Sequence, residues 1–414
     1  MMRSMRGSRM ALAGLVMGML GLLGPVAPTQ AAAKRAPLRP IMLAGNNWDA
    51  TVSIVDAKTY KVIDHFSSVP DRAVREKEIY ASPTRLAQFI AIREAVGENH
   101  DQLVDDVFSS KDGRYAYISR PSFADVVAVS LRTKKIVWRR PVDGYRADHM
   151  ALSPDGKTLL VSASTAKVVE VLDAATGKVT GRIPSGDTPH ESNYSADGKL
   201  IYHASIGTVY TPLDDPAFDS TKGERVFEII DAKTNKVLKR WDIGKILKTF
   251  GYPGMSSAVR PMAISPDEKT AYFQLSFFHG FVVFDLVHGT PVRIVNLPIP
   301  PKVAALPRTS YLLDSAHHGL AIDRAGKELC VAGTMSDYIA VVDVGTYAPT
   351  IASHGTKPYW ASTTADGEHC VVSYSGDDRL AIIDYRTKAE VASIPVGDHP
   401  QRVRNGFIRR SYLG

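Results

Sequence analysis

Short β-branched and apolar runs, each closed by a polar turn, recur along the chain roughly every forty residues, the spacing of a repeat architecture. The clearest run is Val168 to Val179 (VVEVLDAATGKV). Its relatives are Val52 to Thr59 (VSIVDAKT), Phe227 to Thr234 (FEIIDAKT), Ile339 to Thr346 (IAVVDVGT) and Leu380 to Thr387 (LAIIDYRT). Val126 to Thr133 carries Ser130 in place of the aspartate, and Phe281 to Asp285 is followed by His288 where threonine is expected. That makes seven copies. Each predicts a strand, a tight turn and a second short strand. The aspartate accepts from turn amides and the threonine does so more weakly, so these acids are structural and not paired catalytic carboxylates.

A second marker precedes most copies. It reads Ser110 to Gly113 (SKDG), Ser153 to Gly156 (SPDG), Ser195 to Gly198 (SADG), Ser265 to Glu268 (SPDE) and Thr364 to Gly367 (TADG), with Asp323 to Gly326 a decayed form. Asp-Gly between apolar runs is a hairpin signal. Each repeat is therefore four antiparallel strands, a propeller blade. The predicted fold is all-β: a seven-bladed β-propeller over residues 41–414. The first copy lacks its leading hairpin, and residues 401–408 at the C-terminus can supply the missing inner strand and close the ring, hiding the edges.

Four insertions interrupt the repeats, at 67–104, 206–224, 244–259 and 298–315. All fall in connections that emerge on one face of the ring. Thr84 to Val96 reads as an amphipathic helix within the first. Long connections in compact domains are usually functional or disordered, so this decorated face is the expected binding face.

The ends of the chain add a targeting expectation. Arg3, Arg6 and Arg9 precede a 14-residue apolar run from Met10 to Leu23, and small residues near Ala31 offer a cleavage site. Residues 1–31 are expected to be a Sec-type signal peptide and 32–40 a linker, with the mature protein periplasmic or extracellular. The run is short for a membrane span, which needs roughly 20 apolar residues. Loss of those arginines takes the formal charge from +7 to about +4. No concentrated basic stripe marks a nucleic-acid partner. The two cysteines, Cys330 and Cys370, lie in strand-like runs that align as Glu-x-Cys-Val in neighbouring repeats. Two buried free thiols are expected, with a bridge as the alternative in an oxidising compartment.

The repeat resembles the YVTN family of bacterial propellers. Residues 179–200 and 384–400 carry the likeness, including Ile394-Pro395-Val396-Gly397 and Pro189-His190 followed by an Asp-Gly turn. The resemblance implies a secreted or periplasmic binding protein, by fold-level analogy, with a distant likeness to haem-binding propellers of the cytochrome d1 type.

The mouth of the central channel opens on the decorated face, where each inner strand begins. Alignment on the Asp-Gly turns places Asp105, Asp148, His190, Arg260, His318 and Tyr359 there; the C-terminal strand adds Gln401 or Arg402, and the neighbouring position adds His149 and Trp360. This polar ring is the candidate ligand site. His190, His318, Asp105 and Asp148 could together suit a divalent transition metal. The alternative is ordinary wet polarity at a channel mouth, since Pro189-His190 belongs to the family pattern. Three functions follow. The first is a monomeric binding module for a small molecule, a cell-wall component or a protein. The others are a metal-dependent lactonase- or lyase-like enzyme and a haem carrier. No nucleophile elbow, phosphate loop or haem-attachment motif is present in the sequence.

Overall fold

The structure is a computed structural model, and it describes residues 37–208, 216–311 and 315–413. The expected signal peptide lies outside the described residues. So do parts of the second and fourth insertions.

Seven four-stranded antiparallel sheets form the ring among the described residues. In six of them the chain runs from the inner strand outwards in order, from β4 (Val107–Ser109) in the second blade to β27 (Ala389–Pro395) in the seventh. The first blade is composite. β28 (Pro400–Arg409) is its inner strand and pairs antiparallel with β1 (Leu38–Asn46), with Leu38 opposite Arg409 and Ala44 opposite Val403. The ring is thus closed by the C-terminal strand.

The core is a series of layers between adjacent blades. Strand residues alternate sides, so each blade gives one row to each neighbour. Ile41, Leu43, Val52 and Ile54 of the first blade meet Val107, Ile118 and Val127 of the second. At the closure, Met42, Ala44 and Val403 meet Val371, Leu380 and Ile382 of the seventh. The repeat aspartates do what turn chemistry requires of them. Asp173 Oδ1 accepts from the amide of Thr176 (2.9 Å) and from its hydroxyl (2.7 Å), and Asp231 and Asp343 repeat the arrangement. The Asp-Gly turns place Gly113, Gly156, Gly198 and Gly367 at positive φ. Glu268 adopts the same conformation (φ 57°) without being glycine. Its carboxylate accepts from the amide of Ala196 (2.7 Å) in the preceding blade, which offsets a local strain of order 1 kcal/mol.

Cys330 and Cys370 form a disulfide, which corrects the expectation of free thiols. Matching the two Glu-x-Cys-Val strings equated positions that are one residue apart in the blade. Glu328 pairs with Asp343, whereas the residue that pairs with the equivalent Asp384 is His369. A one-residue offset reverses the face of a strand. Cys330 therefore points at the seventh blade and Cys370 back at the sixth, with Cα atoms 6.4 Å apart. A bridge closing 40 residues typically contributes about 2–4 kcal/mol. Replacing both cysteines by alanine is expected to lower the unfolding free energy by about that much, read as a fall in urea midpoint with a steeper slope as the unfolded chain loses its cross-link. An unchanged midpoint would show that the staple is dispensable.

The 67–104 insertion is ordered and holds two helices, one more than the pattern predicts. α1 is Arg72–Tyr80 and α2 is Pro83–Ala95. Ser82 caps α2 by accepting from the amide of Arg85. Arg75 of α1 is buried and donates to the carbonyl of Phe123 (2.7 Å), while its Nε lies 3.0 Å from Asp125. Arg120 bridges the same Asp125 (2.7 and 2.8 Å) to Asp71 (2.6 Å). The far end of the insertion is held by Trp48, whose ring stacks between His100 and His399 with centroids 3.8 Å away on each side. The insertion is thus fastened to the ring at both ends. The remaining insertions carry short helices, α3 (Ile243–Thr249) and α4 (Pro301–Ala304).

Candidate functional site

All seven inner strands carry the same irregularity at the channel mouth: two residues stand opposite one residue of the neighbouring strand. Asp148 and His149 share a single partner position, because Ala147 pairs with Ala163 and Met150 with Val161. His190 and Glu191 do the same, as do Arg260 and Pro261, Tyr359 after Pro358, and Gln401 with Arg402. In the second blade Asp105 and Asp106 both bond Ser119, and in the sixth His318 and Gly319 both face Ala332. A bulge of this kind leaves the ladder and re-aims side chains. That is how consecutive residues such as Asp148 and His149 reach the same space, which a regular strand forbids. Gly319 sits where an added Cβ would lie 2.6 Å from the amide nitrogen of Ala361 and 2.8 Å from the carbonyl carbon of Trp360, so the neighbouring strand approaches closely only because the residue is glycine.

The bulges converge on a cavity of about 380 Å³. Its floor contains Asp105, Asp148, His149, His190, Arg260, His318, Tyr359 and Arg402. The structure thus brings eight of the nine sequence-selected residues together. Trp360 lies just beneath them, its ring 5.7 Å from that of His149 and 6.3 Å from that of His318. It lines a second cavity of about 430 Å³ further along the channel, with Glu191 and Arg404. Trp360 pairs with Ser373 and Tyr359 is the extra residue of the bulge; Tyr359 lines the upper cavity and Trp360 the lower one.

Contacts on the floor are dense. Arg402 Nη1 donates to Asp105 Oδ1 (2.7 Å) and to its carbonyl (3.1 Å), and Nη2 touches His149 Nε2. Its guanidinium lies 5.0 Å above the ring of Trp360. Arg146 pairs with Asp148, and Arg260 donates to Ser276 (2.8 Å). The rings of His149 and His190 are 4.0 Å apart, and His318 stacks on Tyr359 at 4.0 Å. One ring nitrogen from each of His149, His190 and His318 lies within 4.8 Å of the others, and Asp105, Asp148 and His149 form a second such triad.

Burial sets the charge states. Desolvation, followed by the nearby guanidinium of Arg402 or Arg260, holds all three imidazoles well below their ordinary range, so they are neutral at pH 7. Burial also pushes the Asp105 carboxyl up to about 7 against the pull of Arg402. It raises the Tyr359 phenol to about 12 and Glu191 to about 7. Below the floor, Arg404 grips Asp106 with two bonds (2.9 and 2.8 Å). Asp106 and Glu191 also accept from the amides of Met150 (3.1 Å) and Met262 (2.9 Å) in the following blades. These acids tie blade to blade and do not face the upper cavity.

Sequence reasoning missed the roof. Ala91, Ile92, Ala95 and Val96 from the end of α2 line the cavity opposite the charged floor. The amphipathic pattern marked the helix but not where it docks. Arg146 and Lys167 also line the cavity, and no motif marks either.

A haem does not fit these residues. A haem iron binds an in-plane ring nitrogen of histidine; Arg402 occupies that of His149 at Nε2, and Asp105, Asp148, Arg260 and Arg402 crowd charge where the porphyrin would lie. No family model matches the chain, and no curated protein does either.

Proposed function

We propose that the protein is an exported, YVTN-type binding propeller that holds a small molecule between the α2 roof and the histidine–arginine floor. The observation that carries this reading is the half-open cavity with one apolar wall and one wall of convergent polar groups, the usual make-up of a small-molecule site. Arg146, Lys167, Arg260 and Arg402 line it against Asp105, Asp148 and Asp187. Asp105 is only partly ionised near pH 7, so the balance favours a ligand with an anionic group and an apolar body. Two features support export: the apolar run after Arg3, Arg6 and Arg9, and the Cys330–Cys370 bridge, since disulfides persist in oxidising compartments.

Anilinonaphthalene sulfonate, an aromatic body with one sulfonate, is a suitable probe. It is expected to bind the wild-type chain at a single saturable site with enhanced fluorescence. Ala95→Trp fills the roof and should weaken that binding by at least about tenfold, a loss of roughly 1.4 kcal/mol. Equal binding to both proteins would remove the roofed cavity as the site.

A further inference from the structure

We propose that His149, His190 and His318 hold one divalent transition-metal ion at the floor of this cavity, with Zn²⁺ the ion of choice. The inference goes beyond the small-ligand reading and does not depend on it. Four observations support it.

The first is the donor set. Three imidazoles place one ring nitrogen each within 4.8 Å of the others. Bonds of 2.0–2.1 Å from a shared tetrahedral zinc put ligand nitrogens about 3.3 Å apart, so the three rings must draw together by up to about 1.5 Å when the ion binds. Imidazole donors select borderline metals such as Zn²⁺, Co²⁺ or Cu²⁺ over Mg²⁺ and Ca²⁺, which want oxygen.

The second is unspent bonding capacity. His149 Nδ1 and His190 Nδ1 are buried and without a hydrogen-bond partner. At His190 Nδ1 metal ligation removes the penalty of a buried ring nitrogen left unpaired. Arg402 has only N–H donors, so its contact to His149 Nε2 puts the ring proton on Nδ1, and His149 ligates the ion through Nε2 once Arg402 gives that nitrogen up.

Third, one ligand is oriented from outside. His318 Nδ1 faces the carbonyl oxygen of Tyr359 at 3.4 Å, and its ring is stacked on that tyrosine. A backbone acceptor on one nitrogen fixes the proton there and leaves the other nitrogen its lone pair, the usual support for a metal-binding histidine.

Fourth, the charge around the triad suits a cation. The carboxylates of Asp105 and Asp148 share a second triad with His149, and they offset the charge that a metal brings near Arg402. Three protein ligands with a cavity in front leave an open coordination position. An anionic ligand in the cavity would meet the ion there.

The test uses the untagged mature chain, stripped with a chelator and then titrated with Co²⁺ and Zn²⁺. About one equivalent of Zn²⁺ should bind, Co²⁺ should give the visible bands of a low-coordinate imidazole site, and Zn²⁺ should raise the unfolding temperature by mass action. His190→Ala and, separately, His318→Gln should weaken metal binding by more than about tenfold and abolish the Zn²⁺-dependent thermal shift. Thermal unfolding of each metal-free variant checks that the fold survives, and if one variant fails to fold the other decides. Folded wild-type protein that takes up no stoichiometric Zn²⁺ at micromolar free metal overturns the proposal, as does equal binding by the folded variants. Anilinonaphthalene sulfonate binding to the metal-free chain, with its sensitivity to Ala95→Trp, separates the two readings. If it persists while Zn²⁺ fails to bind, only the metal site is lost.

Discussion

A chain ending at His399 is expected to lose cooperative folding altogether. It lacks β28, and with it the inner strand of the first blade. β1 would present an open edge over residues Leu38–Asn46, and bare edges are sites of aggregation. The loss reaches two inter-blade layers, because Ile408 packs into the layer with the second blade and Val403 into the layer with the seventh. It also strands Asp105 and Asp106, whose cationic partners Arg402 and Arg404 both lie on the missing strand. Each buried pair broken on one side costs about 3–5 kcal/mol, and each buried aliphatic side chain lost costs about 1.5–3 kcal/mol. Together these approach the whole of a typical folding free energy, about 5–15 kcal/mol. Circular dichroism and calorimetry should show no cooperative transition in the truncated chain. A sharp transition near the wild-type temperature would mean that the ring does not depend on its closure.

Arg402→Ala is expected to cost about 3–5 kcal/mol, because it leaves a carboxyl buried without its cation. Arg402 and Asp105 are both almost fully buried, and Asp105 Oδ2 already has no partner. The cost should depend on pH, and its sign follows from linkage. Burial raises folded Asp105 to about 7 from an ordinary value of 3.8. Between those values the folded chain binds more protons than the unfolded chain, so this group's contribution to stability falls as pH rises. Below about 7 Asp105 is largely protonated, and losing Arg402 removes hydrogen bonds and packing. Above that pH the carboxylate is ionised, and losing Arg402 strands a charge. Urea unfolding at pH 5.5 and pH 8 should therefore show the larger loss at pH 8, and Asp105→Asn should recover part of it in the Arg402→Ala background. An equal loss at both pH values would rule out the charge pair as the cause.

The aspartates of the repeat, such as Asp173 and Asp231, are legible because their role is local: each bonds amides two or three residues ahead. The closure by β28 is legible by elimination, since one blade lacked a strand and one strand lacked a blade. The cysteines show the limit. Their spacing is visible, but whether they face each other depends on a one-residue offset between strands, and only the pairing with Asp343 and Asp384 reveals it. The binding-site residues fall between these cases. Counting back from the Asp-Gly turns found the ring, yet it could not separate Tyr359 from Trp360, because that separation is made by a bulge and not by residue type. α1 was missed because its key residue, Arg75, is held by Asp125 and the carbonyl of Phe123 from the next blade.

By itself the sequence determined the seven blades, their four-strand composition and the strand that closes them. These follow from local period and turn chemistry, which a chain carries wherever it is. Only the tertiary structure decided the disulfide, the docking of α2 as a roof, and the convergence of His149, His190 and His318. Each of these requires residues far apart in the chain to meet, and their meeting is set by ring closure and by the bulges that turn the inner strands toward the channel.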